Sequence, residues 1–129
     1  MEQRILLVED DAEFRGVFTR AMSLALAPEQ LDVAFVEAGS LAEARARLRE
    51  GGLDAALIDV TLPDGNGLDL VREINDGAAV HIPTLVLTAS LDHVVAARAV
   101  EAGAQSKAVS MQEIVAAIKR LTGAGHPEG

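Results

Sequence analysis

Short, almost wholly apolar runs, set between longer helical patterns, constrain this chain most. Ile5-Leu6-Leu7-Val8, Val33-Ala34-Phe35-Val36, Ala55-Ala56-Leu57-Ile58 and Thr84-Leu85-Val86-Leu87 lack the polar alternation of a half-exposed strand. A strand without a polar face must be covered on both sides, as central strands of a parallel sheet are. Between the runs lie helices. Phe14, Val17, Phe18, Ala21 and Ala25 mark one face of the first, which Pro28 helps to end. The second opens with a capping box, Ser40 and Glu43, turns Leu41, Ala44 and Leu48 inward, and stops at Gly51-Gly52. The third carries Leu68, Val71 and Ile74 and ends at Gly77. The fourth runs from Leu91 to Ala102. The last has a second capping box, Ser110 with Glu113, before Ile114, Ala117, Ile118 and Leu121. With a fifth strand before the last helix, the order predicts an α/β, doubly wound parallel sheet with right-handed crossovers.

The 129 residues suit one domain, and half of them are hydrophobic, enough for a sizeable core. We place that domain at residues 1–122 and read 123–129, which is rich in glycine, as a disordered tail or linker. The net charge is −9, from 20 acidic and 11 basic residues. Such a chain is a poor nucleic-acid binder, because phosphate contacts need clustered Lys and Arg. Cysteine is absent, which excludes a disulfide framework, a thiol nucleophile and a zinc-thiolate site, and suits a cytoplasmic location. No apolar run approaches the roughly 18 residues of a membrane span. The first residues do not read as a secretion signal.

Ligands of doubly wound sheets bind beyond the carboxyl ends of the strands. Glu9, Asp10 and Asp11 follow the first run there, Asp59 follows the third, and Thr88, Ala89 and Ser90 follow the fourth. Alone, each has a plain explanation: a turn former, a helix cap, charge at a helix N-terminus, a solvated lysine. Together they would crowd several carboxylates into one crevice. Two like charges about 4 Å apart repel by about 4 kcal/mol at an effective dielectric near 20, so a cation or a proton is required. Ligands that are all oxygen favour Mg²⁺, with Mn²⁺ as a substitute. Asp59 is then a carboxylate nucleophile for phosphoryl transfer. The Thr88 hydroxyl would donate to a phosphoryl oxygen, and Lys107 would supply positive charge. The turn Leu62-Pro63-Asp64-Gly65-Asn66-Gly67 would shape the loop after Asp59, with Asn66 or Asp64 near the start of the third helix.

On these residues the chain resembles the response-regulator receiver family of two-component signalling. The resemblance is carried by Ile5 to Asp11, Leu57 to Leu68 and Leu85 to Ala89, and extends from about Arg4 to Leu121. It implies a flavodoxin-like fold with sheet order 2-1-3-4-5. It also implies a Mg²⁺ site of Glu9, Asp10, Asp59 and the Thr61 carbonyl, and a phosphoacceptor, Asp59. Thr88 is then the switch hydroxyl, Ala89 a small residue that leaves the phosphate accessible, and Lys107 the phosphate-pairing lysine. The phosphoryl donor would be a histidine kinase or phosphotransfer protein, and the only catalysis self-phosphorylation and self-dephosphorylation. A homodimer is compatible with the resemblance. The stretch Ser106 to Ile114 looks most like receivers that carry a helix-turn-helix output domain, so DNA would be reached only through such a domain.

Two departures from the family shape the expectations. The segment Ala102-Gly103-Ala104-Gln105-Ser106-Lys107 is about three residues short, so either the fifth strand is shortened and Lys107 displaced, or the sequence lacks residues there. The only aromatics are Phe14, Phe18 and Phe35, so an aromatic switch on that strand has no residue to use. The rival to a phosphorylated receiver is a receiver-like interaction domain that works without phosphorylation. An aspartate-nucleophile phosphatase would want a second Asp where Thr61 stands. A flavodoxin-type cofactor binder would want a phosphate loop where Glu9-Asp10-Asp11 stands.

Overall fold

The computed structural model describes residues 2–30, 32–76, 82–88, 104–106, 115–116 and 118–119. The elements are β1 (Gln3–Val8), α1 (Ala12–Leu26), a short 3-10 turn (Ala27–Glu29), β2 (Val33–Ala38), α2 (Leu41–Glu50) and β3 (Ala55–Asp59). They continue with β4 (Thr61–Leu62), β5 (Gly65–Asn66), α3 (Gly67–Asn75), β6 (Thr84–Thr88) and β7 (Ala104–Ser106). Residues 115–116 and 118–119 are helical. The expected fourth helix, Ala89 and Ser90, the Ser110–Glu113 capping box, the Gly77 stop and Lys107 lie outside the described residues.

Among the described residues the sheet has five strands in the order β2-β1-β3-β6-β7, paired in parallel. This is the expected flavodoxin-like order, with β6 and β7 as fourth and fifth strands. The described part of β7 is Ala104–Ser106, and the residues on either side, on which its expected shortening turns, lie outside the described residues. β7 pairs Val86 with Ala104, Leu87 with Gln105 and Thr88 with Ser106.

The apolar runs are apolar throughout because each serves two cores. Successive side chains of a strand point to opposite faces. Leu6, Val8, Ala56, Ile58 and Val86 face one way, into a core completed by α2 and α3 through Leu41, Ala44, Leu48, Leu70, Val71 and Ile74. Their neighbours Ile5, Leu7, Ala55, Leu57, Leu85 and Leu87 face the other way, against Phe18, Met22 and Leu26 of α1 and against Val115 and Ile118. β3 lies between β1 and β6 and is buried along its whole length. Each fully buried Leu or Ile contributes about 1.5–3 kcal/mol relative to exposure.

The inner face of α1 differs from its expected stripe. Phe18, Met22 and Leu26 are buried, with Phe14 and Ala25 partly so, whereas Val17 is 60% exposed. At about 100° per residue, Val17 lies well over a quarter-turn from the centre of the face that the others define. The Ser40 cap forms as expected, its hydroxyl accepting from the Glu43 N–H at 3.1 Å. The Glu43 carboxylate, however, accepts from the Gly39 N–H at 2.6 Å, one residue before the position that closes a standard capping box.

Candidate functional site

β1 and β3 are adjacent, and the chain leaves them toward opposite sides of the sheet, β1 to β2 and β3 to β6. Their gap is therefore the switch point of the doubly wound sheet. Val8 pairs with Ile58, so Glu9 and Asp59 stand side by side one step further on. Two hydrogen bonds extend the ladder past the strand ends: Glu9 N–H to Ala38 O at 3.0 Å, and Val60 N–H to Leu87 O at 3.2 Å.

The acidic run after β1 divides its labour. Asp11 is the N-cap of α1, its carboxylate accepting from the Phe14 N–H at 3.0 Å. Glu9 turns inward, is 2% exposed, and accepts from the Asp11 N–H at 3.1 Å. Asp10 is exposed and Asp59 is 6% exposed. Glu9, Asp10 and Asp59 each offer a carboxylate oxygen, and these oxygens lie within 4.8 Å of one another. In an octahedral shell with bonds near 2.1 Å, ligand oxygens are about 3 Å apart when adjacent and about 4.2 Å when opposite. The observed spread is only slightly wider, so the oxygen set fits a small hard cation. It could also lie against a phosphoryl group with that cation between them.

The loop after Asp59 is a tight hairpin. Thr61 pairs with Asn66 and Leu62 with Gly65 in an antiparallel turn, with Pro63 and Asp64 at its tip. Asn66 caps α3, its carbonyl accepting from the Leu68 N–H at 2.7 Å. Gly67 donates to Val60 O at 2.7 Å and packs against the backbone of Asp59 itself; a Cβ there would sit 1.9 Å from Asp59 O. Of the two residues expected near the third helix, Asn66 is its cap, whereas Asp64 reaches the other way. The Asp64 carboxylate accepts from Leu41 N–H at 2.8 Å and Ala42 N–H at 3.1 Å, capping α2 from the far side of the pocket loop.

Those backbone donors, Leu41 first, hold the Asp64 carboxyl below its ordinary value of 3.8. A carboxyl depressed by folding stabilises the fold above its unfolded pKa and loses that contribution as pH falls through the folded one. The melting temperature of Asp64→Asn should therefore lie below that of the parent chain at neutral pH, with the gap closing as pH drops below 3.8. A pH series of thermal melts checks it.

Thr88 ends β6 beside Ser106 of β7, and Ser106 immediately precedes Lys107 in the chain. The structure thus brings Glu9, Asp10 and Asp59 together and puts the strand ends bearing Thr88 and Ser106 at the same edge. Two contacts beside the site were not expected: Gly67 packs on the backbone of Asp59, and Arg15 donates to the Glu9 carbonyl. Gly67 carried a signal, as the last residue of a Gly-Asn-Gly turn after Asp59; Arg15 carried none beyond being a cation near an acidic run.

Fold and site together define a class: a doubly wound domain with an acidic pocket at its switch point, suited to holding a cation beside a buried aspartate. Comparison with known proteins agrees. The chain belongs to the response regulator receiver domain family, which matches residues 5–119. It is therefore a receiver domain of two-component systems, a signalling protein rather than a classical enzyme. It is 34% identical over 122 residues to the DNA-binding response regulator MtrA of Mycobacterium tuberculosis, covering 92% of this chain and 50% of that protein. The chain spans about half the length of the curated relatives it first matches. A LuxR-family two-component response regulator from Aurantimonas superposes with a TM-score of 0.75 at 29% identity, covering 95% of this chain and 86% of that one. The receiver domain of a Pseudomonas aeruginosa sensor histidine kinase, with a magnesium ion coordinated in its active site cleft, shares the fold. Its TM-score is 0.76 at 24% identity, covering 96% of this chain and 100% of that one. Among the described residues, no helix is long and apolar enough to cross a membrane.

Proposed function

We propose that Asp59 accepts a phosphoryl group from a histidine kinase or phosphotransfer protein in a Mg²⁺-dependent reaction, and that the modified domain switches an output surface. The observation that carries this reading is the convergence of Glu9, Asp10 and Asp59 at the switch point, two of the three buried. Glu9, Asp10, Asp59 and the Thr61 carbonyl would hold the cation, with Mn²⁺ as a substitute. Bound there, it would neutralise charge on the pocket and on the incoming phosphoryl oxygens. An Asp59 carboxylate oxygen attacks phosphorus, the P–N bond to the donor histidine breaks, and the imidazole leaves with the electron pair. In the reverse sense of the signal, water attacks the acyl phosphate and releases inorganic phosphate. Thr88 donates its hydroxyl to a phosphoryl oxygen, Lys107 pairs with another, and Ala89 leaves the phosphorus open to water.

A kinase-coupled module of this kind works in the cytoplasm. Residues 1–122 form the receiver unit and 123–129 a tail or linker. DNA would be contacted only through an output domain of the kind the MtrA relatives are named for, and a homodimer would be one way to present it. The phosphorylation-independent alternative draws on one feature, the segment Ala102-Gly103-Ala104-Gln105-Ser106-Lys107, about three residues short by comparison with the family. Intact-mass measurement after incubation with acetyl phosphate decides between them. One added phosphoryl group that requires Mg²⁺ and is blocked by a chelator is the expected result. Absence of both that adduct and beryllofluoride binding would move the function to phosphorylation-independent interaction.

A further inference from the structure

Glu9 is held by its backbone as well as by its burial. Its N–H donates to Ala38 O at the end of β2. Its carbonyl accepts from Arg15 Nη1, reaching back from the first turn of α1. The same guanidinium donates through Nε to the Glu37 carboxylate of β2 at 2.9 Å, and the Arg15 side chain is only 18% exposed. Arg15 therefore ties the peptide between Glu9 and Asp10 to the neighbouring strand. That peptide matters because Asp10 is the exposed member of the acidic set and lies on a bend outside any strand or helix. Small hard cations demand near-ideal ligand placement, so the Asp10 carboxylate needs a fixed platform.

We propose that Arg15 is a positioning residue for the acidic pocket: its guanidinium clamps the Glu9 carbonyl to Glu37 and so sets the direction from which Asp10 meets the cation. The inference rests on reading the pocket as a Mg²⁺ site. It makes a prediction opposite in sign to that of charge alone. Removing a cation from beside three carboxylates should, by Coulomb's law, tighten binding of a divalent ion. Removing a clamp that orients a ligand should weaken it, by about 10-fold or more for a group acting behind the ligands.

The test is calorimetric titration of Mg²⁺ into the full chain and into Arg15→Ala, Arg15→Lys and Glu37→Gln, with melting temperatures recorded without metal. Arg15→Ala should bind Mg²⁺ about 10-fold or more weakly than the parent. Arg15→Lys should also stay weak, because one ammonium restores the charge but cannot reach both acceptors in the fork geometry of a guanidinium. Glu37→Gln, which keeps Arg15 but loosens its anchor, should fall between and serves if Arg15→Ala does not fold. Equal or tighter binding by Arg15→Ala, or full recovery by Arg15→Lys, would overturn the clamp while leaving the Mg²⁺ reading intact. No Mg²⁺ binding by the parent chain would remove that reading, and the clamp with it.

Discussion

Asp59→Asn should abolish phosphoryl uptake completely while making the metal-free protein more stable. The first half follows from chemistry. A carboxamide cannot form the acyl phosphate, and the remaining pocket carboxylates, Glu9 and Asp10, lie in the loop after β1. The second half follows from electrostatics. Asp59 and Glu9 are 6% and 2% exposed, so water screens them poorly. Replacing one charge with a near-isosteric amide relieves repulsion worth up to about 4 kcal/mol per pair at this separation. Excess Mg²⁺ should narrow the gap, since a ligand at about 100 times its Kd stabilises the form it binds by about 2.7 kcal/mol. The checks are intact mass after acetyl phosphate treatment, and melting temperatures of both proteins with chelator and with Mg²⁺. A variant melting below its parent in chelator would mean that the three carboxylates do not strain the metal-free fold.

Gly67→Ala should be among the most damaging methyl additions in the chain. The new Cβ would meet Asp59 O at 1.9 Å, Asp59 C at 2.9 Å and Ile58 Cγ2 at 2.9 Å. Two of those atoms are the backbone of Asp59, in a strand buried along its length, so no flexible side chain can yield there. Overpacking costs about 1–3 kcal/mol where neighbours can shift; here the cost should reach or pass the upper figure and lower the melting temperature by roughly 10 °C. Because relief means moving Asp59 or the start of α3, phosphorylation and Mg²⁺ affinity should fall with stability. Gly16→Ala is the control: its Cβ meets nothing within 4 Å on α1, and replacing a mid-helix glycine should stabilise by about 0.5–1 kcal/mol. Thermal melts of the two variants, with acetyl phosphate labelling of each, separate local crowding from a general intolerance of alanine.

The strands were legible because absence of alternation is itself a pattern: Leu6 and Leu7 are both apolar since each has its own core. Glu9, Asp10 and Asp59 were legible because strand ends in a parallel sheet share one edge. Less was visible where the partner is remote. Asp64 caps α2 from 23 residues away, whereas a local reading offers it to the helix that follows. Arg15 finds Glu37 across 22 residues, and nothing in a helix sequence names the neighbouring strand's register. The β4–β5 hairpin consists of two-residue strands, too short for periodicity to register. Val17 was misplaced because neighbouring hydrophobic residues allow more than one choice of stripe.

The pairing of β1 with β3 also bears on when this domain can become competent during synthesis. A nascent chain that has emerged only through α2 carries Glu9 and Asp10 but not Asp59, the proposed phosphoryl acceptor, and its β1 lacks the neighbour that buries one flank. Asp59 lies fifty residues after Glu9 in the chain, and it reaches the pocket only once β3 has docked beside β1, a contact distant in sequence and slow to form. On the proposed mechanism, phosphoryl uptake therefore waits for the sheet's centre to close, and partly made chains that lack β3 would not intercept phosphoryl groups meant for finished molecules.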